Sequence, residues 1–157
     1  MSAAPFVIRE RVRWRDCDPM GIIRYDAYTR FFELGEEEML RALGIDHVAL
    51  ADRFGLTLPR RVMHLEYPSA PRLDELLALH VYVGEVGVTS LHLHVDAYGA
   101  GGALRMAGHL VLICAYDGPD RGTALRKQPW PPAFLAALAP HRLTVDEARA
   151  FAPGGEA

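Results

Sequence analysis

Two carboxylates and a thiol occur together in the segment Asp16-Cys17-Asp18-Pro19-Met20-Gly21. Asp, Pro and Gly all favour turns, and the proline disfavours a helical backbone at Asp18, so the segment is predicted to be a turn or a loop. A carboxylate in such a loop is able to act as a nucleophile or as a general base. Judged by spacing alone, however, Asp18 is an ordinary turn residue.

The thiol between the two carboxylates is a poor candidate nucleophile. Thiolate is the reactive form of cysteine, and Asp16 and Asp18 are expected to raise the pKa of Cys17. Cys17 and Cys114 are the two cysteines of the chain, and their positions do not form a metal-ligand spacing. We therefore predict no thiol catalysis and a reducing environment for the protein.

Histidines form the second group of candidate ligands. His92 and His94 are predicted to share one face of a strand, and His64 and Glu66 share a face of another. Two histidines at this spacing bind zinc if a third ligand converges on them, and otherwise they pack against neighbouring strands. We predict packing, with no bound metal and no cofactor.

The candidate loop is predicted to join a strand to a long helix. In residues 6–14 arginines alternate with apolar residues, and Ile8, Val12 and Trp14 are expected on the buried face of the strand. In residues 25–43 apolar residues recur every three or four positions, which is typical of a helix. Gly35 would allow another backbone to approach this helix closely, and Gly44 is expected to end it.

The surface of this helix is unusually apolar, so other structure should surround it. Glu36, Glu37 and Glu38 are predicted to form its solvated side. Four strands are predicted to follow, at residues 57–67, 76–84, 88–98 and 103–116, and short connections favour an antiparallel meander for the last three. Short helices are predicted at residues 46–53, 133–138 and after Thr144, which forms a capping box with Glu147.

One helix followed by a run of strands predicts an α+β fold in which a curved antiparallel sheet wraps around the helix. We expect one domain over residues 1–157, with a core at about residues 6–138 and short helices and a tail at 139–157. The net charge is −3 and no basic block is present, which argues against nucleic-acid binding. No signal peptide or membrane-spanning apolar run is found, so we expect a cytoplasmic protein.

The segment from Arg11 to Tyr28 resembles the active-site signature of the 4-hydroxybenzoyl-CoA thioesterase family. That signature reads aspartate, any residue, aspartate, proline, any residue, glycine, two aliphatic residues, an aromatic residue, and tyrosine or histidine before the central helix. The similarity covers roughly residues 6–138. It implies the hotdog fold, a homodimer or homotetramer, and a ligand groove between subunits.

The resemblance also implies an activity, the hydrolysis of acyl-CoA thioesters without a cofactor. Asp18 corresponds to the catalytic carboxylate, which acts as a nucleophile or as a general base. The backbone amide of Tyr25, at the start of the central helix, corresponds to the donor that polarises the thioester carbonyl. An unpaired amide at a helix start suits this role because it carries partial positive charge.

Substrate contacts are implied at five further positions, which are Gly21, Ile22, Arg24, Arg72 and Ser90. Arg72 is a candidate for a CoA phosphate or for a surface ion pair with Asp74. Arg24 departs from the family pattern, which has an aromatic or apolar residue there. It either enters the groove, where it would pair with Asp18 or with a carboxylate of the ligand, or lies on the surface.

Two other functions are compatible with the same fold. A hotdog enoyl-CoA hydratase is expected to carry a histidine five positions after the aspartate, and here that position is Ile23. A non-catalytic acyl-thioester-binding protein would not need both Asp18 and the turn that follows it. Release of free thiol from a panel of acyl-CoAs distinguishes these functions from a thioesterase.

Overall fold

The computed structural model describes residues 2–116 and 125–154. The strands are β1 (Phe6–Arg11), β2 (Leu56–Thr57), β3 (Arg60–Glu66), β4 (Leu76–Val86), β5 (Ser90–Tyr98), β6 (Leu104–Ile113), β7 (Ala115–Tyr116) and β8 (Arg126–Lys127). The α-helices are α1 (Tyr28–Ala42), α2 (His47–Ala49), α3 (Pro132–Leu138) and α4 (Val145–Arg149). None of the described helices is long and apolar enough to cross a membrane.

Five strands form the main sheet, in the order β1-β4-β5-β6-β3, and every neighbouring pair is antiparallel. The sheet wraps around α1, whose buried side chains form a single core with the inner residues of β4, β5 and β6. A small sheet, β2-β7-β8, lies beside it. The hotdog fold and the α+β class predicted from the sequence are therefore confirmed.

Gly35 determines how closely α1 approaches the sheet. A Cβ atom at this position would lie 2.9 Å from Cγ2 of Val81 and 3.5 Å from Cγ2 of Val95. Any side chain would therefore have to displace the helix or the strands. The close neighbours of Gly35 are thus valine side chains, where another backbone was predicted, and Gly44 follows the helix with a φ of +69°.

Two predictions about side-chain exposure are wrong. Trp14 is 80% exposed, because the chain leaves the sheet after Arg11 and enters a 3-10 turn at Trp14–Asp16, where strand alternation no longer applies. Glu36 is fully buried, because it occupies the same face of α1 as Phe32 and Met39. Arg60 supplies the charge that Glu36 needs in the core, with its Nη2 donating to Oε2 at 2.7 Å.

The outer face of the sheet, opposite α1, carries a row of aromatic rings. Tyr82, His94, His109 and His64 occupy matching positions in four adjacent strands. Successive ring centroids are 4.9, 5.1 and 5.4 Å apart. The predicted packing of histidines across strands is thus present, and we call these four residues the aromatic row.

The C-terminal segment covers one end of the aromatic row. Leu143 and Ala148 pack against Tyr82, which is fully buried. The Tyr82 hydroxyl donates to the buried carboxylate of Asp96 at 3.1 Å, and Nε of Arg149 lies 3.7 Å from the same carboxylate. The predicted tail extends into residues 155–157, which lie outside the described residues.

Candidate active site

Asp18 stands at the first position of a tight turn. The Gly21 backbone N–H donates to the carbonyl of Asp18 at 3.0 Å, and the Met20 N–H donates to Asp18 Oδ1 at 2.8 Å. Gly21 has a φ of +75°, a conformation that residues with a Cβ atom rarely adopt. The turn therefore fixes one oxygen of the Asp18 carboxylate and leaves the half-exposed side chain facing out of the loop.

Residues on both sides of the turn anchor it to the rest of the protein. The Asp18 N–H donates to the Ile22 carbonyl at 2.9 Å, and Ile22 forms an antiparallel bridge with Arg72. The Ile23 N–H donates to the Pro71 carbonyl at 3.1 Å, and the Leu73 N–H donates to the Gly21 carbonyl at the same distance. The loop is thus held by backbone hydrogen bonds to the segment that precedes β4.

Asp16 connects the loop to α1. It is almost fully buried and accepts hydrogen bonds from the Arg13 N–H at 2.8 Å and from Nε of Arg30 at 2.9 Å. Burial favours the protonated form, but the hydrogen bonds from Arg30 and Arg13 outweigh it and hold the pKa of Asp16 below its usual value. Arg30 is a positioning residue that the sequence did not reveal, because its partner lies 14 positions away.

Tyr25 begins the helical segment that continues into α1. Its side chain is 81% exposed, and a 3-10 turn at Tyr25–Ala27 precedes the α-helix. The Tyr25 backbone N–H meets no hydrogen-bond acceptor in residues 2–116 or 125–154. Because unpaired N–H groups at a helix start carry partial positive charge, this amide is suited to bind a developing oxyanion.

The remaining predicted contacts differ in how close they lie to Asp18. Gly21 and Ile22 belong to its turn, and Arg72 is exposed on the segment that bridges Ile22. Ser90 is different, because it starts β5 next to the far end of β4 and thus lies at the opposite end of the sheet from Arg72. Within one chain, the fold brings together all the predicted site residues except Ser90.

Arg24 forms a two-pronged ion pair with Asp26, not with Asp18. Its Nε and Nη2 donate to the two carboxylate oxygens at 3.0 and 3.1 Å. Both side chains are about half exposed, at 48% and 56%. The structure therefore gives Arg24 a partner other than Asp18, in agreement with a surface position.

Thiol and metal chemistry receive no support from this region. Burial raises the pKa of Cys17, and the charges of Asp16 and Asp18 raise it further, as expected from the sequence. In the part of the chain that the structure describes, no group of three or more His, Cys, Asp and Glu side chains is arranged to hold a metal ion. The functional groups that the loop presents are the Asp18 carboxylate and the Tyr25 backbone amide.

Comparisons with known proteins identify the family of this chain. The model of the thioesterase-like superfamily matches residues 12–138. The acyl-CoA thioesterase YbgC of Haemophilus influenzae is 33% identical over 82 residues, covering 52% of this chain and 60% of that protein. The acyl-CoA thioester hydrolase YbgC of Escherichia coli O6:H1 is 29% identical over 105 residues, covering 66% and 77%. The chain spans about three fifths of the length of the first relative, and of a further one from Aquifex aeolicus.

Solved structures share the fold. A mutant 4-hydroxybenzoyl-CoA thioesterase in complex with 4-hydroxybenzoyl-CoA has a TM-score of 0.76 at 19% identity, covering 87% of this chain and 99% of that one. A thioesterase-superfamily protein from Jannaschia sp. CCS1 has a TM-score of 0.78 at 20% identity, covering 89% and 94%. With the family model matched over most of its length, the chain belongs to the thioesterase-like superfamily.

Proposed function

We propose that this protein is an acyl-CoA thioesterase, which hydrolyses an acyl-CoA to the free acid and CoA. One observation carries the proposal. The Asp18 carboxylate is fixed in a turn, and the unpaired amide of Tyr25 lies seven positions further along the chain, at the start of the helical segment. The names of the YbgC relatives support an acyl-CoA substrate.

In the proposed reaction the Tyr25 amide binds the carbonyl oxygen of the thioester. A donor of this kind contributes about 3–4 kcal/mol to the stability of the transition state. Asp18 either attacks the carbonyl carbon, so that CoA leaves as a thiolate and water then cleaves the mixed anhydride, or activates the water that attacks directly. Both routes consume one water and yield one carboxylic acid and one CoA thiol.

A single turnover in ¹⁸O-labelled water tests for the nucleophilic route. If Asp18 is the nucleophile and water attacks the anhydride at the Asp18 carbon, the label enters the Asp18 side chain, which mass spectrometry of the digested protein detects. Water attack at the acyl carbon places the label in the released acid alone in either route, so label in Asp18 is the outcome that identifies the nucleophile. The hydrogen bond from Met20 to Oδ1 leaves Oδ2 available for either role.

The activity itself is tested by thiol release from a panel of acyl-CoAs. Asp18→Ala is expected to lower kcat by at least about 10³-fold, because it removes the reacting carboxylate. Asp52→Ala, at an exposed aspartate of the π-helical turn Leu50–Phe54, is the matched control and should retain activity. Wild-type turnover by Asp18→Ala, or thiol release from no acyl-CoA by the wild type, would contradict the proposal.

We also propose that two chains pair through β3 into a homodimer, which is able to associate further into a tetramer. β3 lies at an edge of the sheet, and six of its seven residues are exposed. Unpaired strand edges of this kind readily pair with another strand. Within one chain Ser90 lies far from the other predicted site residues. A partner chain would therefore be needed to bring such residues close to Ser90.

Assembly is tested by light scattering on a variant of the edge. Val62→Lys places a charge in the middle of the proposed β3 interface, and is expected to shift the protein towards monomers with reduced activity. Val88→Lys changes a more exposed valine, 73% against 45%, in the turn between β4 and β5 and should leave the assembly intact. A fully active wild-type monomer would refute the dimer.

A further inference from the structure

Glu36 is a carboxylate in the apolar core with one oxygen unpaired. Its Oε2 accepts the hydrogen bond from Arg60, whereas Oε1 is buried and has no hydrogen-bond partner in the described chain. The cavity beside it has a volume of about 10 Å³ and is otherwise lined by apolar residues such as Leu58, Val83 and Phe134. A buried carboxylate is costly unless it is paired, so Glu36 holds Arg60 firmly in place.

Arg60 extends from the edge strand to reach this carboxylate. The strand register shifts between Arg60 and Val62, and this irregularity directs the Arg60 side chain towards α1. The guanidinium is 44% exposed, and one of its five N–H groups is used by Glu36. Arg60 therefore combines a fixed position with hydrogen-bond donors that remain available.

These donors face a groove between α1 and β3. The groove has a volume of about 260 Å³, and its lining consists of Thr29, Phe32, Glu33, Arg60, Met63 and Leu110. Its walls are largely apolar, and its charged groups are Arg60 and Glu33. The groove is thus suited to an apolar chain that carries a polar group where it meets Arg60.

The position of the groove along α1 connects it to the candidate active site. Tyr25, Thr29, Glu33 and Glu36 follow one another at spacings of four, four and three, which places them along one side of the helical segment. At a rise of 1.5 Å per residue, Glu36 lies about 16 Å beyond Tyr25. A thioester bound at the Tyr25 amide would direct its acyl group along this side towards Arg60.

We propose that Arg60, held by Glu36, determines specificity by binding a hydroxyl group on the distal part of the acyl chain. This inference rests on the proposed thioesterase function. A carboxylate would offer the same hydrogen-bond acceptor, but Glu36 and Glu33 already place negative charge around Arg60. The hydroxyl is therefore the better ligand, because it accepts from the guanidinium without adding charge.

The test compares pairs of acyl-CoAs that differ in one group. Thiol release is measured for straight-chain acyl-CoAs of increasing length, for their ω-hydroxy analogues and for their ω-carboxy analogues. A hydrogen bond to a charged group contributes about 1.5–3 kcal/mol, so at the matching length the hydroxy compound should have a kcat/KM at least about tenfold higher, mainly through KM. A preference for the ω-carboxy compound would overturn the choice of hydroxyl.

Arg60→Leu alone would leave Glu36 buried without a cation, so the informative variant is Arg60→Leu combined with Glu36→Leu. In this double variant the ratio of kcat/KM between hydroxy and unsubstituted substrates should fall to about one. Arg60→Lys keeps a cation beside Glu36 but loses the planar fork, and should lower the ratio without abolishing it. Arg126→Leu, at an exposed arginine of β8 outside the proposed interface, is the matched control and should keep the wild-type ratio.

An unchanged ratio in the double variant, or in Arg60→Lys if the double variant does not fold, would overturn the proposal. An equal loss for all substrates would also overturn it, because Arg60 would then act on the thioester or on assembly. Calorimetric binding of the same CoA thioesters to Asp18→Ala, which should hydrolyse them at least about 10³-fold more slowly, measures the hydroxyl preference without appreciable turnover. Failure of the proposed function would instead appear as no thiol release by the wild type from any substrate.

Discussion

At the scale of single residues, the two aspartates of the loop have separate tasks. Asp16 is buried and accepts from Arg13 and Arg30, whereas Asp18 is half exposed and accepts from the Met20 amide. Two carboxylates that are two positions apart in the sequence thus differ in exposure, one buried and one partly exposed. One carboxylate maintains the shape of the loop, and the other remains accessible to a substrate.

This division predicts different consequences for two conservative changes. Asp16→Asn removes the charge that Arg30 needs, and should lower the free energy of unfolding by about 2 kcal/mol at neutral pH. Asp18→Asn should leave stability nearly unchanged while lowering kcat. Urea denaturation and thiol release measured on both variants check the assignment. Equal stability losses in both variants would contradict it.

The pH dependence gives an independent check on Asp16. Its folded pKa lies below the value near 3.9 of an unfolded aspartate, so its contribution to stability is present above pH 4 and is lost as the pH falls through the folded pKa. The stability difference between wild type and Asp16→Asn should therefore shrink in acid. A difference that stayed constant down to about pH 2 would exclude this origin.

Cys17 should be dispensable despite its place between the two aspartates. Burial and the neighbouring carboxylates raise the pKa of its thiol, so little thiolate is present at neutral pH. Cys17→Ser is expected to retain kcat within about tenfold, and the wild-type thiol should react slowly with iodoacetamide. Rapid alkylation accompanied by loss of activity would contradict this expectation.

At the scale of elements, the position of α1 determines where the Tyr25 amide of the candidate active site lies, because Tyr25 begins the helical segment that α1 continues. Gly35→Ala would improve helix propensity by about 1 kcal/mol, but its Cβ would clash with Val81. Overpacking costs about 1–3 kcal/mol, so a net loss of stability and a lower kcat/KM are expected.

A second change provides the control for Gly35. Val81→Ala removes the Cγ2 atom that the new Cβ would meet. The double variant should therefore lose less free energy of unfolding than the two single variants lose together. Chemical denaturation of all four proteins yields this coupling energy. If the two changes were additive, the contact would not determine the position of the helix.

Features that depend on neighbouring residues in the sequence were predictable. The turn at Asp18, the end of α1 at Gly44 and the capping box of Thr144 with Glu147 are all present. Each follows from backbone preferences or from hydrogen bonds between residues a few positions apart. The family signature added the catalytic role that we propose for Asp18, which spacing alone did not indicate.

Features that depend on distant partners were missed. Glu36 was expected on the surface because charged residues are seldom buried without a partner, and Arg60 lies 24 positions further along the chain. A signal was nevertheless present, since Glu36 shares its helix face with Phe32 and Met39. Arg60, the groove and the aromatic row become visible only when strands far apart in sequence lie side by side.

At the scale of the whole molecule, the aromatic row makes stability sensitive to acid. Burial lowers the pKa of His94 to about 4, and the nearby His109, His92 and Arg149 contribute in the same direction. An unfolded histidine has a pKa near 6.5, so below this pH the unfolded chain binds a proton that the folded chain excludes. Stability should therefore fall from about pH 7 to about pH 4, by roughly 2–3 kcal/mol.

The origin of this loss is tested by urea unfolding at a fixed protein concentration across this pH range. His94→Gln should flatten the dependence, because glutamine does not titrate. His47→Gln, at the exposed histidine that begins α2, serves as the matched control and should keep the wild-type dependence. An unaltered slope in His94→Gln would assign the loss to other groups.

The exposed edge of β3 also affects the tendency of the protein to aggregate. The same unpaired backbone groups that would join two folded chains are available to any extended segment, including that of an incompletely folded copy. Arg60, Arg61 and Glu66 place charges along this edge, and such charges oppose indiscriminate pairing. Neutralisation of these charges should therefore favour aggregation, because it removes the repulsion between exposed edges of different chains.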